Sequence, residues 1–465
     1  MNRPISRRNF LGQANCAAVT SLPLLNTLLN LKVASTVAAA SNTGSDYKSL
    51  VCLFLSGGID TFNVLVPRGT AEYAEYSSVR RAIALPNSAL LPINPQGLTG
   101  LQLGLHPALT GIQSLFEGGH AAYVSNVGTL VQPVTKSDFH SGKSLPLGLF
   151  SHSDQQEQWQ TSMPNTHTAQ GWGGRVADML KSLNSLNSVS MNMSLTGTNI
   201  WQAGDSVFEY TVGSGGASLN GYDKANTNKH STVPIRTKAV NSQLEFQYQH
   251  LLSEAFQTQK IDALGAAGQF TSATANVQLP AGVTFPNTSL GHQFQMIAKI
   301  ILSRGALGQN RQTFFVEYGG WDHHNNLLAN QAAMLPQVDA AVKAFYDCLA
   351  AASLQNNVTL FTCSDFSRTL STDGDGADHA WGGNHLVLGG AVKGQRVYGR
   401  YPSLALGSSL DVGRGRLIPQ VGVDSYFAEL ALWFGVPKSS LSLVLPNIGA
   451  FYDTRSSSPP VGFLG

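Results

Sequence analysis

Residues 313–324 read TFFVEYGGWDHH. The first six, Thr313–Tyr318, form an apolar run with no alternation. Such a run suits a strand inside a parallel sheet, where helices cover both faces. A second run, VTLFTC at Val358–Cys363, ends in Ser364 and Asp365. Between them, Gln331–Ala352 places Leu335, Val338, Val342, Phe345 and Leu349 at helical spacing. Strand, helix and strand in this order predict a parallel, right-handed crossover.

The same reading extends outward. Leu50–Leu55 (LVCLFL) ends in Ser56-Gly57-Gly58, Ala121–Val124 ends in SNVG, and HLVLGGAV begins at His385. Helices are expected at Ser289–Arg304, with Phe294, Ile297, Ala298 and Ile301 on one face, and at Arg236–Gln269. A last helix is expected at Asp424–Phe434, with Asp424 as its N-cap. The predicted fold class is α/β: a doubly wound, mainly parallel sheet flanked by helices, with loop insertions. It is read as one domain over residues 41–465. Residues 205–234, rich in Gly, Ser, Asn and Thr, read as a surface insertion.

Only 12% of the 465 residues are charged and 47 are glycine, which excludes a disordered chain. The first forty residues differ from the rest. SRRNFLG at Ser6–Gly12 carries Arg7 and Arg8, an apolar run follows from Ala17 to Leu31, and small residues precede Ser41. This resembles a twin-arginine export signal cleaved near Ala40. Pro23, Asn26 and Asn30 interrupt the run, and it is shorter than the roughly 20 apolar residues of a membrane span. The expected location is therefore the periplasm or beyond, with the twin-arginine export machinery as a partner and no stable membrane anchor after cleavage. Removing residues 1–40 takes away four basic residues and no acids, so the formal charge of +2 becomes slightly negative. Neither a nucleic acid nor an anionic membrane surface is an expected partner. Cys52, Cys348 and Cys363 lie in apolar runs and read as free buried thiols. If Asp60 and Asp365 meet at one rim, Cys52 and Cys363 are offset by roughly 20 Å along their strands. No disulfide is then expected between them.

Three strands end in small residues and an acid: Asp60, Asp322 and Asp365. Ligands of open parallel sheets bind beyond the carboxyl ends of the strands, where these acids can converge. Asp322 brings His323 and His324, and the loop after Asp365 brings Asp378 and His379. Taken singly, Asp60 could cap a helix, WDHHNN could be a polar turn, and DGDGADH could be a solvated loop without EF-hand spacing. Their coincidence at strand ends predicts a cation site, because clustered carboxylates and imidazoles need a shared positive partner.

FPNTSLGHQFQMIAKII, FFVEYGGWDHH, FTCSDFSRTL, DGADHAWGGNHLVLGGAVKG and RGRLIPQVGVDSYFAELALWFGV occur in that order. Together they resemble the secreted family called domain of unknown function 1501, which is similar in pattern to the alkaline phosphatase and sulfatase superfamily. The resemblance implies an alkaline phosphatase-like sheet with a metal site beyond its strand ends. It implies that Asp60, Asp322, His324, Asp365 and His379 are metal ligands, with His324 favoured over His323. LFSHSDQQEQW at Leu149–Trp159 resembles the family's Ser-His-Phe-Asp-Ala-Gln segment, which makes Ser151 the candidate nucleophile. Arg368 is the candidate clamp for an anionic group. Phe366 stands where the superfamily has a metal-binding His, so one tightly bound divalent ion (zinc, calcium or magnesium) is expected. The implied activity is hydrolysis of phosphate or sulfate esters on a small molecule or polymer. The alternative is an exported non-catalytic protein that keeps the fold and binds a partner through it.

Overall fold

The structure is a computed structural model that describes residues 46–219, 221–248 and 250–465. The export signal expected at residues 1–40 lies outside the described residues. Among the described residues, no helix is long and apolar enough to cross a membrane.

The strands in chain order are β1 (Lys48–Phe54), β2 (Leu65–Pro67), β3 (Leu91–Ile93), β4 (Leu103–Leu105), β5 (Ala121–Gly128) and β6 (Asn192–Ser194). They continue with β7 (Tyr210–Thr211), β8 (Arg311–Glu317), β9 (Val358–Cys363), β10 (Gly383–Leu388), β11 (Arg396–Tyr398) and β12 (Val421–Gly422). The main sheet runs β11-β5-β10-β9-β1-β8-β6-β7, and β12 also pairs with β5. The crossover read from 313 to 363 spans one strand: β8 and β9 flank β1, both parallel to it. β10 is antiparallel to both its neighbours, and every other pair in this sheet is parallel. A short antiparallel sheet of β2, β4 and β3 stands apart.

The unalternating apolar runs are explained by the two faces of the sheet. Val51 and Leu53 of β1 join Phe314 and Val316 in a core with Phe294, Ile297 and Phe345. Those three belong to the helices Ser289–Leu302 and Leu327–Ala351. Leu50, Cys52 and Phe54 join Phe315 and Phe361 in a second core with Trp172, Val176, Phe427 and Leu430. These come from Trp172–Leu180 and Val423–Phe434 on the opposite face. The sheet is thus mainly parallel and covered by helices on both sides, as its sequence required.

Three expectations are corrected. The span read as one helix over Arg236–Gln269 is two helices, Val233–Glu245 and Leu251–Thr274, separated by Phe246–His250. Cys52 and Cys363 are free, but the rim argument for their separation fails. Gly57 and Gly58, at φ 110° and 73°, turn the chain so that Gly57, not Asp60, meets Asp365. Cys363 consequently pairs with Phe54, two residues from Cys52, and the sulfurs lie 3.9 Å apart. Asp424 is not an N-cap: extended pairing of β12 with β5 runs to Gly422, which takes that position.

Asp424 instead sits in the first helical turn, fully buried, and neither carboxylate oxygen has a hydrogen-bond partner. Burial pushes its carboxyl up to about 7, against a weaker pull from Ser162 and Arg175. The folded chain therefore keeps a proton that the unfolded chain releases from about pH 4 upward. Stability is expected to fall as pH rises from there to about 7, by up to about 1.4 kcal/mol per pH unit. Urea unfolding across that range checks this, because Asp424→Asn should lose that part of the slope.

Candidate metal centre

The polar cluster forms where three strand-end loops interlock. The turn after β1 approaches the loop after β8 so closely that a Cβ on Gly57 would lie 2.7 Å from the Asp322 nitrogen. One on Gly58 would lie 2.4 Å from the Phe366 ring. The Gly57 N–H donates to both oxygens of Asp365 (3.1 and 3.2 Å). The loop after β9 folds back on itself. Thr369 N–H donates to the Asp378 carbonyl (2.9 Å), and Ala380 N–H donates to the Ser367 carbonyl (3.0 Å). That pairing carries His379 back beside the 365–369 segment. Ala377 N–H donates to the His323 carbonyl (3.1 Å), tying the same loop to the one after β8.

Asp322 is the hub. Its Oδ1 lies 3.0 Å from His324 Nε2, 3.4 Å from His379 Nε2 and 3.4 Å from His152 Nε2. His324 Nε2 and His379 Nε2 are 3.1 Å apart. Corners of a tetrahedron with metal–nitrogen bonds of about 2.1 Å are roughly 3.4 Å apart, so these spacings suit donors around one ion. The ligand atoms of His152, Asp322 and His379 lie mutually within 4.8 Å, and so do those of His324, Asp378 and His379.

The second nitrogen of each key ring is fixed. His152 Nδ1 lies 2.5 Å from Asp365 Oδ2, and His152 Nε2 is buried without a hydrogen-bond partner. His379 Nδ1 lies 2.8 Å from the Phe150 carbonyl, an acceptor only, so Nδ1 carries the proton and Nε2 keeps its lone pair. Imidazoles that bind metals are held in this way, with one nitrogen on a carboxylate or carbonyl and the other turned to the ion. Phe150 provides its carbonyl from a left-handed backbone conformation, φ 73°, unusual for a residue other than glycine. The Phe366 ring lies against both imidazoles, 4.8 Å from His152 and 4.6 Å from His379 between centroids.

Charge is unevenly distributed here. Burial alone would raise the Asp322 carboxyl, but the hydrogen bond and charge of Arg368, with His324 and His152 nearby, hold it at about 2. Its hydrogen bond to Asp365 raises His152 above the usual imidazole value, whereas burial lowers His379.

The expected residues divide by position. Asp322, His324 and His379 come together. Asp365 is fully buried behind His152, where it also accepts from the Gln156 amide (2.9 Å). Asp60 belongs to neither ligand group: it is fully buried, and its Oδ2 is paired with the buried Arg80 guanidinium. Arg368 is spent on the chain itself. It donates to the carbonyls of Gly57, Gly58, Trp321 and Ala377, and to Asp322 Oδ1 at 2.5 Å. Ser151 precedes His152 at the start of the helix His152–Thr161, and its hydroxyl donates to Asp154 Oδ2 (2.6 Å). His323 is buried beside Trp321, and burial lowers its pKa to about 4. His385 is buried against Trp159, 4.6 Å between centroids, with Nδ1 3.1 Å from the Thr362 carbonyl.

His152 is the residue that the sequence reading passed over. Its signal was present: a His one position after a helix-starting Ser, in the segment already singled out for Ser151. Asp378 was noted beside His379, and its Oδ2 is held by Arg414 and Arg416, each at 2.9 Å.

Comparison with curated proteins gives no match. Among solved structures, the chain is similar to Ps i-CgsB in complex with k-i-k-neocarrahexaose, at 11% identity and a TM-score of 0.33 over 85% of this chain and 74% of that one. It is similar to the PsFucS1 sulfatase from Pseudoalteromonas sp., at 10% identity and a TM-score of 0.31 over 88% and 72%. It is also similar to the soluble domain of lipooligosaccharide phosphoethanolamine transferase A from Neisseria meningitidis, at 8% identity and a TM-score of 0.33 over 87% and 94%. The family described as protein of unknown function (DUF1501) matches residues 47–412, most of the sequence, and the chain belongs to that family.

Proposed function

We propose that the protein is an exported hydrolase of phosphate or sulfate esters that works with one divalent ion. The observation that carries this reading is the convergence of His152 Nε2 and His379 Nε2 on Asp322 Oδ1, with both Nδ1 atoms already engaged. In this reading Asp322, His379 and His152 hold the ion, and His324 completes the set. Asp365 orients His152, and Asp60 is a structural partner of Arg80. Bound there, a divalent ion would supply Lewis-acid polarisation of the ester and favour the ionised form of a nearby nucleophile.

Ser151 is the proposed nucleophile. It lies between His152 and Phe150, whose carbonyl fixes His379, and at the positive end of a ten-residue helix. Asp154, 2.6 Å from its hydroxyl oxygen, is placed to take the proton as that oxygen bonds to phosphorus or sulfur. The ester P–O or S–O bond breaks, the alcohol leaves with the proton that Asp154 took, and water then hydrolyses the Ser151 ester and restores its hydroxyl. Arg368 acts by holding Asp322, because its donors are already engaged.

The test is hydrolysis of aryl phosphate and aryl sulfate esters by chelated and metal-restored protein. Activity that returns with one divalent ion and is absent in Ser151→Ala supports the reading. Full activity in chelator overturns it. Metal uptake should weaken as pH drops below neutral, since His152, with its raised pKa, takes up a competing proton first. Competition with a metal indicator at several pH values checks this.

One observation favours the non-catalytic alternative. The Arg368 guanidinium is 2.5 Å from Asp322 Oδ1 and already gives that carboxylate a positive partner. A protein that takes up no ion and cleaves neither ester would follow that alternative.

A further inference from the structure

The helices Val233–Glu245 and Leu251–Thr274 form a hairpin whose polarity is inverted. Val240 and Leu244 of the first helix and Gln257 and Leu264 of the second are partly buried. The Gln257 amide donates to the carbonyls of Leu244 (2.5 Å) and Phe246 (2.9 Å), which clasps the two helices. The far end of the second helix enters the body of the protein through Ala266, Ala267 and Phe270, and in the first helix Thr237 is buried against Asp223. The large apolar side chains nearer the turn point outward. Leu251 is 77% exposed, Leu252 72%, Phe256 69% and Phe246 61%, and Ile235, at the base of the hairpin, is 72% exposed. Amphipathic helices place such residues inward, and apolar patches exposed in this way mark interaction surfaces.

The charges indicate what covers the patch. Arg236 and Lys238 lie at the base of the hairpin, and Glu245 and Glu254 lie near its turn. Lys260 and Asp262, further along the second helix, offset each other. The hairpin is neutral as a whole but basic at one end and acidic at the other. A neutral element has no electrostatic attraction to an anionic surface. Two copies laid antiparallel about a two-fold axis place each acidic turn on the partner's basic base and cover the apolar side chains between them.

We propose that the hairpin 233–274 is a self-complementary interface and that its occupant is the hairpin of a second copy of this chain. The proposal is independent of the ester-hydrolase reading, since no residue of the metal cluster takes part.

Sedimentation equilibrium of the purified chain tests it, with circular dichroism to confirm that each variant is folded. The wild type is expected to be a dimer. Arg236→Glu with Lys238→Glu sets like charges against each other at both ends and should weaken association at least about tenfold. Adding Glu245→Lys and Glu254→Lys to the same chain should restore it, which a merely misfolded hairpin would not do. A wild type that stays monomeric overturns the proposal, including one that floats with phosphatidylcholine vesicles and so uses the patch on lipid. So does a dimer indifferent to the charge reversals.

Discussion

His152→Ala should lose bound metal and ester hydrolysis together, each by at least about 100-fold. That is beyond the 10–100-fold expected for a residue that only orients a ligand. Its Nε2 is buried, partnerless and 3.4 Å from the hub carboxylate oxygen, so no neighbouring side chain already bonded elsewhere replaces it. Asp365→Asn is the graded comparison. The amide can still accept from the imidazole N–H, but it no longer makes the ring more basic. A loss within the 10–100-fold range is expected there. His385→Ala should leave metal content unchanged, because that ring is buried against Trp159 and hydrogen-bonded to Thr362. Titration of all three variants with a metal indicator, beside their rates on an aryl ester, distinguishes these roles. Equal metal affinity in His152→Ala and wild type would remove His152 from the ligand set.

The second large effect is on stability. Arg80→Met should destabilise the fold by about 3–5 kcal/mol, the usual cost of leaving one member of a buried ion pair alone. Asp60 and Arg80 are both fully buried, and the other Asp60 oxygen already lacks a partner. Burial pulls the Arg80 guanidinium down to about 9, so it remains charged at neutral pH. Arg80 also donates to the Thr369 carbonyl (2.9 Å), next to Arg368, so the change reaches the loop that brings in His379. Replacing both partners, as Asp60→Leu with Arg80→Met, should recover part of the loss, since no charge is then left buried. Urea unfolding of the single and double variants gives both numbers. An Asp60 that serves as a metal ligand would instead show its loss in metal content, with little change in stability.

The sheet was legible because burial on both faces leaves a simple mark. LVCLFL, TFFVEY and VTLFTC do not alternate, and each became a strand at the centre of the sheet. The antiparallel direction of β10 was not legible, because HLVLGG is apolar in either direction and a loop, not a helix, precedes it. The helix break near Phe246 was hidden by apolar residues that continue past it; they face outward, where periodicity carries no information about the core. In the candidate site, Asp322, His324 and His379, read from acids and imidazoles at strand ends, do come together. Asp60 lies apart from that cluster because Gly57 and Gly58 turn the chain before it, and no pattern in the sequence announces Arg80 as its partner. His152 comes from a helix start far from Asp322, His324 and His379 in sequence, and only the folded chain brings it to them.

In the proposed site, His152, Asp322, His324 and His379 together hold one cation in the folded protein. The most direct test is metal stoichiometry, by inductively coupled plasma mass spectrometry, of chelator-stripped chain reloaded with zinc, calcium or magnesium and freed of excess. One ion per chain is expected for one of these metals in the wild type, and none in Asp322→Ala. A wild-type chain that retains no ion from any of the three, or an Asp322→Ala chain that retains as much as the wild type, would contradict it.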